Sequence, residues 1–213
     1  SILGAADSLG SLPDLKPRDR TELLATIQEE AERLNRFIAN LLDMTRLESG
    51  AVEPNLSPVD VGEVVGAALR RAERILAGHH VETVVAPDLP LLRLDPVLFE
   101  QVLFNLMDNA AKYAPAGTTI QLRGWREGAA VHLQVLDEGQ GIPKPDLERV
   151  FDKFYRVRKS DSQRAGTGLG LAICRGFVEA MGGVIEAGNR TGRHGAVFTI
   201  KLPVTAVGQF GTA

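Results

Sequence analysis

The chain has 213 residues, 44% of them hydrophobic and 24% charged, a composition that suits one large domain or a small domain plus a medium one. The formal net charge of −3 gives no electrostatic reason to expect a nucleic-acid partner. The single cysteine, Cys174, excludes an internal disulfide framework, and the sequence has neither an apolar run of transmembrane length nor a signal-peptide pattern.

The N-terminal part of the chain is predicted to form a helical hairpin. Residues 14–49 carry apolar or small side chains at alternating steps of three and four, which is typical of the seam of a left-handed bundle. The seam residues are Leu24, Ile27, Ala31, Leu34, Ile38, Leu41 and Thr45. Residues 1–12 are predicted to end a preceding antiparallel helix. Two interpretations remain open: helix 19–49 forms a homodimeric four-helix bundle with a second copy, or it packs on the chain's own domain.

From residue 59 the pattern changes to mixed α/β. Helices are predicted over residues 61–77, 95–114, 144–150 and 169–181. Strands are predicted over residues 81–86, 91–94, 119–126, 130–136, 184–187 and 196–202. Helices on one face of a mostly antiparallel sheet give the fold class α+β. The expected organisation is a helical segment at 1–50, a linker at 51–58, a second domain at 59–204 and a tail at 205–213.

The helix predicted over residues 95–114 has a polar stripe. Its side chains follow one another at steps of four, four and three, so they share one face. They are Gln101, Asn105, Asn109 and Lys112. Carboxamide oxygens can bind Mg²⁺ together with water and phosphate oxygens, and the lysine could meet the phosphates. A solvated polar face explains the same stripe, and this helix alone does not decide between the two interpretations.

An acidic residue and two glycines follow the apolar strand at 130–136. The carboxylate of Asp137 could accept a hydrogen bond from the exocyclic amine of adenine, and Gly139 and Gly141 would let a ligand approach the backbone. Many ordinary turns have the same DxGxG pattern. Alone, the motif is therefore a weak indication of a nucleotide pocket.

A second glycine cluster, GTGLGL at 166–171, opens the last predicted helix. Glycines at a helix N-terminus offer free N–H groups and a favourable dipole to a phosphate. The polar, basic segment at 156–166 before them is typical of a mobile lid. The P-loop pattern GxxxxGK[ST] is absent from the sequence, and Leu171 stands where the dinucleotide fingerprint requires glycine or alanine.

In this order and at these distances, the motifs resemble the catalytic domain of sensor histidine kinases over residues 59–203. The matching sequences are NLMDNAAKY at 105–113 (N box), DEGQG at 137–141 (first glycine box), FDKF at 151–154 (F box) and GTGLG at 166–170 (second glycine box). The resemblance implies a Bergerat-type (GHKL) ATP-binding α/β sandwich preceded by a helical-hairpin dimerisation segment. Finer sequences such as SILGAADSL and LLDMTRLESGAV are similar to the potassium-responsive KdpD group of these kinases.

The resemblance also implies roles for the stripe on helix 95–114. Asn109 would bind the Mg²⁺ that bridges the ATP phosphates, with Asn105 beside it as a catalytic candidate. Lys112 would contact phosphate, and Tyr113 would line the nucleotide pocket. Gln101 lies where the family often has an acidic residue thought to assist proton removal. Because a neutral amide cannot be a general base, an orienting role is expected for Gln101.

The two glycine boxes have different implied roles. Asp137 would recognise the adenine amine, while Gly139 and Gly141 would permit close approach. The residues implied to hinge the lid and present N–H groups to phosphate are Gly166, Thr167, Gly168, Leu169 and Gly170. Two questions stay open: whether Phe151 and Phe154 anchor the lid or are ordinary core residues, and whether the basic lid residues contact phosphate or water. The basic residues are Arg156, Arg158 and Lys159.

The histidines depart from the family pattern. The phosphoacceptor of the family stands in a His-Asp/Glu-x-x-x-Pro context, and His79, His80, His132 and His194 all lack it. Structural or solvated roles are expected for these four. Because SILGAADSL resembles the stretch just after the acceptor, we expect the chain to begin beyond it. The fragment should then bind ATP without being able to phosphorylate itself.

The implied function is that of an ATP-dependent protein-histidine kinase of a two-component system. The parent protein would transfer the γ-phosphoryl group of ATP to a histidine and then to an aspartate of its cognate response regulator. The catalytic portion is expected in the cytoplasm, with membrane contact only through upstream segments of the parent. Two alternatives remain open: a gyrase- or chaperone-type ATPase of the same fold, and a non-catalytic nucleotide-sensing dimer module.

Overall fold

The computed structural model describes residues 1–11, 15–157 and 167–204. The chain separates into two compact units, Ser1–Thr45 and Arg46–Ala213. The boundary falls in the last turn of a helix, a few residues before the linker expected from the sequence. The domain limits given by the sequence remain a prediction.

The first unit consists of two helices. Helix α1 spans Ile2–Ser11, and helix α2 spans Pro17–Glu48, with its last turn in the second unit. Proline suits the first turn of α2, where its missing N–H has no helical acceptor to lose. The predicted apolar seam is largely in contact with solvent, because Leu34, Ile38 and Leu41 remain 51%, 47% and 43% exposed. A helix with such a seam has an apolar face that the described residues leave largely uncovered.

The second unit is an α+β sandwich. Its helices are α3 (Val61–Leu76), α4 (Pro96–Tyr113) and α5 (Gly170–Ala180). Its strands are β1 (Ser57–Val59), β2 (His80–Val85), β3 (Leu92–Leu94), β4 (Thr119–Glu127), β5 (Ala130–Leu136), β6 (Val184–Asn189) and β7 (Ala196–Pro203). Strand β1 was not predicted, and the helix predicted at 144–150 was wrong, since two short 3₁₀ turns, Lys144–Asp146 and Arg149–Phe151, occupy that segment.

The main sheet has five strands in the order β2-β4-β5-β7-β6. Strands β2 and β4 are parallel, and the other three pairs are antiparallel. The prediction of a mostly antiparallel sheet is therefore confirmed. Strands β1 and β3 form a separate antiparallel pair.

One face of the main sheet packs on the three helices, and this contact is the core. Alternate residues of the central strands are buried, as expected for a sheet covered on one side. The fully buried large side chains include Phe99, Leu103, Leu106 and Met107 of α4, Ile120 and Leu122 of β4, Ile173 of α5, and Ile200 and Leu202 of β7. Helix α4 lies at the centre of this layer, so its polar stripe emerges from the middle of the core.

Two of the three helices begin at an aspartate. The Asp60 carboxylate accepts hydrogen bonds from the N–H groups of Gly62 and Glu63 at the start of α3. Asp95 does the same for Val97 and Leu98 at the start of α4, as predicted from the Asp-Pro pair. The second oxygen of Asp95 accepts from the N–H of Asn55 at 2.9 Å. The cap of α4 therefore also holds the segment that leads into β1.

Within the part of the chain that the structure describes, no helix combines the length and apolarity needed to cross a membrane.

Candidate functional site

The centre of the candidate site is a buried carboxylate. Asp137 directly follows β5 and is only 4% exposed. Its Oδ1 accepts hydrogen bonds from the N–H groups of Gly139, at 2.7 Å, and Ala196, at 3.1 Å. Burial raises the pKa of Asp137 above its ordinary 3.8, and the two N–H donors and the Arg190 guanidinium oppose that rise. Within the described residues no donor meets Oδ2, so this oxygen keeps its lone pairs for a ligand.

The glycines of the first glycine box have a packing role in this structure. A Cβ at Gly139 would lie 2.7 Å from the carbonyl oxygen of Tyr113, the last residue of α4. A Cβ at Gly141, where φ is +76°, would lie 2.6 Å from Oδ1 of Asn189. The two glycines therefore let the loop after β5 press against the end of α4 on one side and against β6 on the other. Their predicted part in ligand approach stays a prediction.

The turn between β6 and β7 supports the Asp137 loop, and the sequence analysis missed it. Asn189 accepts from the N–H of Ile142 and donates to its carbonyl oxygen, both at 2.7 Å. Arg190 donates to the carbonyl oxygen of Asp137 at 3.1 Å and lies 3.5 Å from the Glu138 carboxylate. At Gly195, where φ is +129°, a Cβ would lie 1.9 Å from the carbonyl oxygen of Asp137. The sequence signal was the glycine-rich run GNRTGRHG at 188–195, which covers the end of β6 and the turn before β7.

The predicted stripe on α4 is present, with different surroundings for each side chain. Asn105 is 8% exposed, and its Oδ1 accepts from Nε2 of Gln101 at 3.4 Å. The Nδ2 group of Asn105 is buried beside the thiol of Cys174, a weak acceptor, and makes no other hydrogen bond among the described residues. Asn109, one turn further, is half-buried. Lys112 is paired with the Asp108 carboxylate on the same helix, so a phosphate would have to compete with that carboxylate.

The residues before α5 form an uncapped helix N-terminus. The helix begins at Gly170, and Leu169 at the N-cap makes no side-chain cap hydrogen bond, unlike the aspartates of α3 and α4. The first N–H groups of such a helix lack intrahelical acceptors and attract anions. Thr167 Oγ1 accepts from the N–H of Leu169 at 3.2 Å. Gly166 lies outside the described residues, so its predicted role as a hinge remains untested.

The F box and the second glycine box are bonded to one another. The N–H of Phe154 donates to the carbonyl oxygen of Gly168 at 2.9 Å, and a Cβ at Gly168 would lie 2.7 Å from the Phe154 backbone. The two phenylalanines differ: Phe151 is buried edge-on against Phe198, whereas Phe154 is 62% exposed with φ +61°. Phe151 is thus a core residue and Phe154 is not. Among the basic lid residues, Arg158 and Lys159 lie outside the described residues, and Arg156 is engaged in an interaction.

The histidines occupy the second unit, and their surroundings are structural or exposed. His79 is placed with Nε2 at 3.2 Å from the carbonyl oxygen of Ala111. His132 stacks on Trp125 with ring centroids 5.2 Å apart. His80 and His194 are exposed. These positions agree with the roles expected for them.

The donor set fits a magnesium–nucleotide complex better than a metal held by the protein alone. Within the described ranges, no group of three or more His, Cys, Asp or Glu side chains could hold a metal ion. The α4 stripe offers carboxamides instead, and Mg²⁺ commonly combines one or two protein ligands with phosphate oxygens and water. Oδ1 of Asn105 accepts one hydrogen bond, from Gln101, and keeps a second lone pair that such a complex could use.

Comparison with known proteins decides the family. Residues 94–206 match the family described as histidine kinase-, DNA gyrase B-, and HSP90-like ATPase. The chain belongs to this family. It is 40% identical over 207 residues to the sensor protein KdpD of Clostridium acetobutylicum, covering 95% of this chain and 23% of that protein. The chain therefore spans less than a quarter of the length of that relative.

Solved structures of histidine kinases have the same fold. Full-length ShkA in complex with AMPPNP aligns with a TM-score of 0.72 and 28% identity, covering 89% of this chain and 40% of ShkA. Acinetobacter baumannii histidine kinase AdeS aligns with a TM-score of 0.74 and 25% identity, covering 96% of this chain and 93% of AdeS. The predicted Bergerat-type sandwich and the similarity to sensor histidine kinase cores, KdpD in particular, are thus confirmed.

The support of Asp137 by the β6–β7 turn can be tested with a pair of glycine variants. Gly195→Ala should destabilise the fold by about 3 kcal/mol, because its Cβ would collide with the carbonyl oxygen of Asp137, which Arg190 also holds. Gly192→Ala, in the same turn, has φ +72° and open space, so it should cost only about 1 kcal/mol of backbone strain. Urea unfolding of both variants measures the difference. Equal stabilities would contradict the close contact at Gly195.

Proposed function

We propose that this chain binds Mg²⁺-ATP and is the ATP-binding catalytic core of a two-component sensor histidine kinase. The parent would transfer the γ-phosphoryl group to a histidine and then to an aspartate of a cognate response regulator. The observation that carries the proposal is the buried Asp137 carboxylate, whose Oδ1 is held by two backbone donors while Oδ2 has none within the described residues. An acceptor of this kind matches the exocyclic amine of adenine.

The phosphates would lie between α4 and the start of α5. The uncapped N–H groups from Gly170 onward favour anionic oxygens, and Thr167, Gly168 and Leu169 bring the chain into that turn. Asn109 would be the protein ligand of the magnesium ion, with Asn105 beside it and Lys112 leaving Asp108 for a phosphate oxygen. Tyr113 closes this end of the pocket, where its carbonyl touches Gly139.

The residues of this chain would act by binding and alignment. Bound Mg²⁺ supplies neutralisation of the phosphate charge. Asn105 and Asn109 would hold one side of the magnesium–triphosphate group, and the α5 N-terminus would hold the other side. The γ-phosphoryl group would then face an incoming acceptor. Gln101 is a neutral amide and cannot take a proton, so its part is to orient Asn105.

Two further classes share the family: ATPases that couple nucleotide to dimer closure, and nucleotide-sensing modules without catalysis. The kinase is favoured because the similarity to KdpD extends over 95% of this chain and therefore includes α2 as well as the pocket. On the same similarity we propose that the parent protein senses potassium. We also propose that it is anchored in a membrane with this portion in the cytoplasm. The four histidines lie outside α1 and α2, so this chain alone should not label itself on a bundle histidine.

The adenine contact predicts a specific loss in Asp137→Asn. Asparagine can keep the two loop hydrogen bonds at its oxygen, but it places an NH₂ group where Oδ2 faces the adenine amine. Affinity for a fluorescent ATP analogue with Mg²⁺ should fall roughly 10- to 100-fold, the value of one hydrogen bond to a charged group. Asp88→Asn, the same change at an exposed turn residue, is the control and should bind like wild type. If Asp137→Asn binds the ATP analogue as tightly as Asp88→Asn, the proposed adenine contact is wrong.

The raised pKa of Asp137 also predicts a pH dependence. As pH falls toward that value, above 3.8, the carboxyl takes up a proton and wild-type affinity should drop, whereas Asp137→Asn should show no such step. The free energy of unfolding should depend on pH in the opposite direction to the ATP affinity. Because the folded state holds this proton more tightly than the unfolded state, the wild type loses stability as pH rises between 3.8 and the raised pKa. If the difference in free energy of unfolding between wild type and Asp137→Asn does not change with pH across that range, the raised pKa is not that of Asp137.

Kinase and ATPase can be distinguished by the fate of γ-labelled ATP. Without an acceptor histidine, we expect binding, no steady phosphate release and no acid-labile label on this chain. A longer form of the protein that includes an acceptor histidine upstream of α1 should gain acid-labile label. Steady Mg²⁺-dependent release by the present chain, abolished in Asp137→Asn, would instead favour a gyrase- or chaperone-type ATPase.

The exposed seam of α2 predicts a homodimer. Ile38 and Leu41 lie on a face that the described residues leave exposed, and a second copy would bury it. Ile38→Glu should shift the chain from dimer to monomer in analytical ultracentrifugation, because it places charge in the seam. The matched change Asn40→Glu, outside the seam, should leave the dimer intact. A wild-type monomer at all concentrations would exclude this interface for the present chain.

A further inference from the structure

A chain of hydrogen bonds reaches the candidate site from α3, outside all of the motifs. Arg71 on α3 donates through Nη2 to Oε1 of Gln101 at 2.8 Å and through Nη1 to the Glu100 carboxylate at 3.2 Å. Its guanidinium also lies 4.5 Å from the centre of the Phe104 ring. These three contacts lie along one side of α4 and fix the plane of the guanidinium, which is the property that distinguishes arginine from lysine.

The chemistry of arginine determines the orientation of the next amide. A guanidinium can only donate, so Gln101 must turn its oxygen toward Arg71 and its NH₂ group toward Asn105. That NH₂ group lies 3.4 Å from Oδ1 of Asn105. Oδ1 of Asn105 keeps its second lone pair, while Nδ2 is buried beside the Cys174 thiol. Arg71 thus supports, through Gln101, the orientation in which the Asn105 oxygen is left for a ligand.

We propose that Arg71 is a positioning residue of the nucleotide site, acting through Gln101 on Asn105. The inference rests on the proposed function, because it assigns Asn105 to the magnesium–phosphate end of the pocket. It adds a residue on a different helix, and it gives Gln101 a source for its orientation.

If Arg71 had only a structural role, its loss would lower the stability of the fold and leave the nucleotide affinity of the folded protein unchanged. The Arg71 side chain is 45% exposed and Glu100 is 30% exposed, so this ion pair alone contributes little to stability. Removing the guanidinium leaves no buried charge and only a small loss of packing. Asn105, by contrast, is 8% exposed and would lose one of the contacts that orient its amide. The effect should therefore fall on magnesium-dependent binding more than on folding.

The test compares Arg71→Ala with Arg70→Ala, the same change at the preceding, exposed residue of α3. Affinity for AMPPNP is measured with Mg²⁺ and again in EDTA, alongside thermal unfolding of each chain. Arg71→Ala should weaken the magnesium-dependent affinity about tenfold, the loss of one oriented hydrogen bond, while Arg70→Ala matches wild type. Affinity in EDTA, which depends mainly on the adenine contact, should change by less than about twofold in both variants.

A second route to the same result uses Gln101→Met, which keeps the length of the side chain and removes both hydrogen bonds. It should reproduce the loss of Arg71→Ala, and the double variant should lose no more than either single variant, because both changes break one chain. Additive losses would overturn the positioning role, as would an Arg71→Ala affinity equal to that of Arg70→Ala. Asp137→Asn, measured in the same series, separates the two proposals. If it leaves binding unchanged the proposed function fails, whereas if it abolishes binding only the Arg71 comparison decides the inference.

Discussion

A carboxylate withdrawn from water is unfavourable unless firmly held donors replace the water. Asp137 takes its donors from two different segments, the loop that follows it and the start of β7. These bonds join two neighbouring strands at their ends, and Arg190 holds the same loop through the Asp137 carbonyl. The site depends on this arrangement, because it fixes one oxygen of the carboxylate to the fold and leaves the other for a ligand.

The helix N-termini of the second unit also differ in whether their N–H groups are bonded within the fold. Asp60 and Asp95 cap α3 and α4, where a negative charge stabilises the helix dipole and no ligand is needed. An aspartate at the start of α5 would satisfy those N–H groups equally well, but it would repel phosphate. The N-cap is Leu169 instead, and the first N–H groups remain for an anion. Omitting a cap costs about 1 kcal/mol, which is a modest cost if the proposed phosphate site lies there.

Local patterns predicted the parts of this fold that depend on local interactions. The start of α4 follows from Asp95 and Pro96, and the polar stripe follows from the helical period alone. Contacts between distant segments could not be read in this way. Asn189 holds Ile142 from 47 residues away, and only the folded sheet shows why Gly195 must lack a side chain. Phe151 and Phe154 have the same residue type in one motif, yet Phe151 is buried and Phe154, at a positive φ, is exposed.

The polar side chain of Asn105 on α4 stabilises the fold less than an apolar side chain would at the same buried position. Asn105 lies among buried Val102, Leu106 and Met107, and a leucine there would fill the space without burying an amide. The proposed ligand contact of Asn105 would give this buried amide a function. The amide is supported from the core by the Cys174 thiol and, through Gln101, by Arg71 on the partly exposed side of the helix pair. In the proposed arrangement, Arg71 can therefore be replaced with little effect on packing, and the consequence falls on the orientation of Asn105.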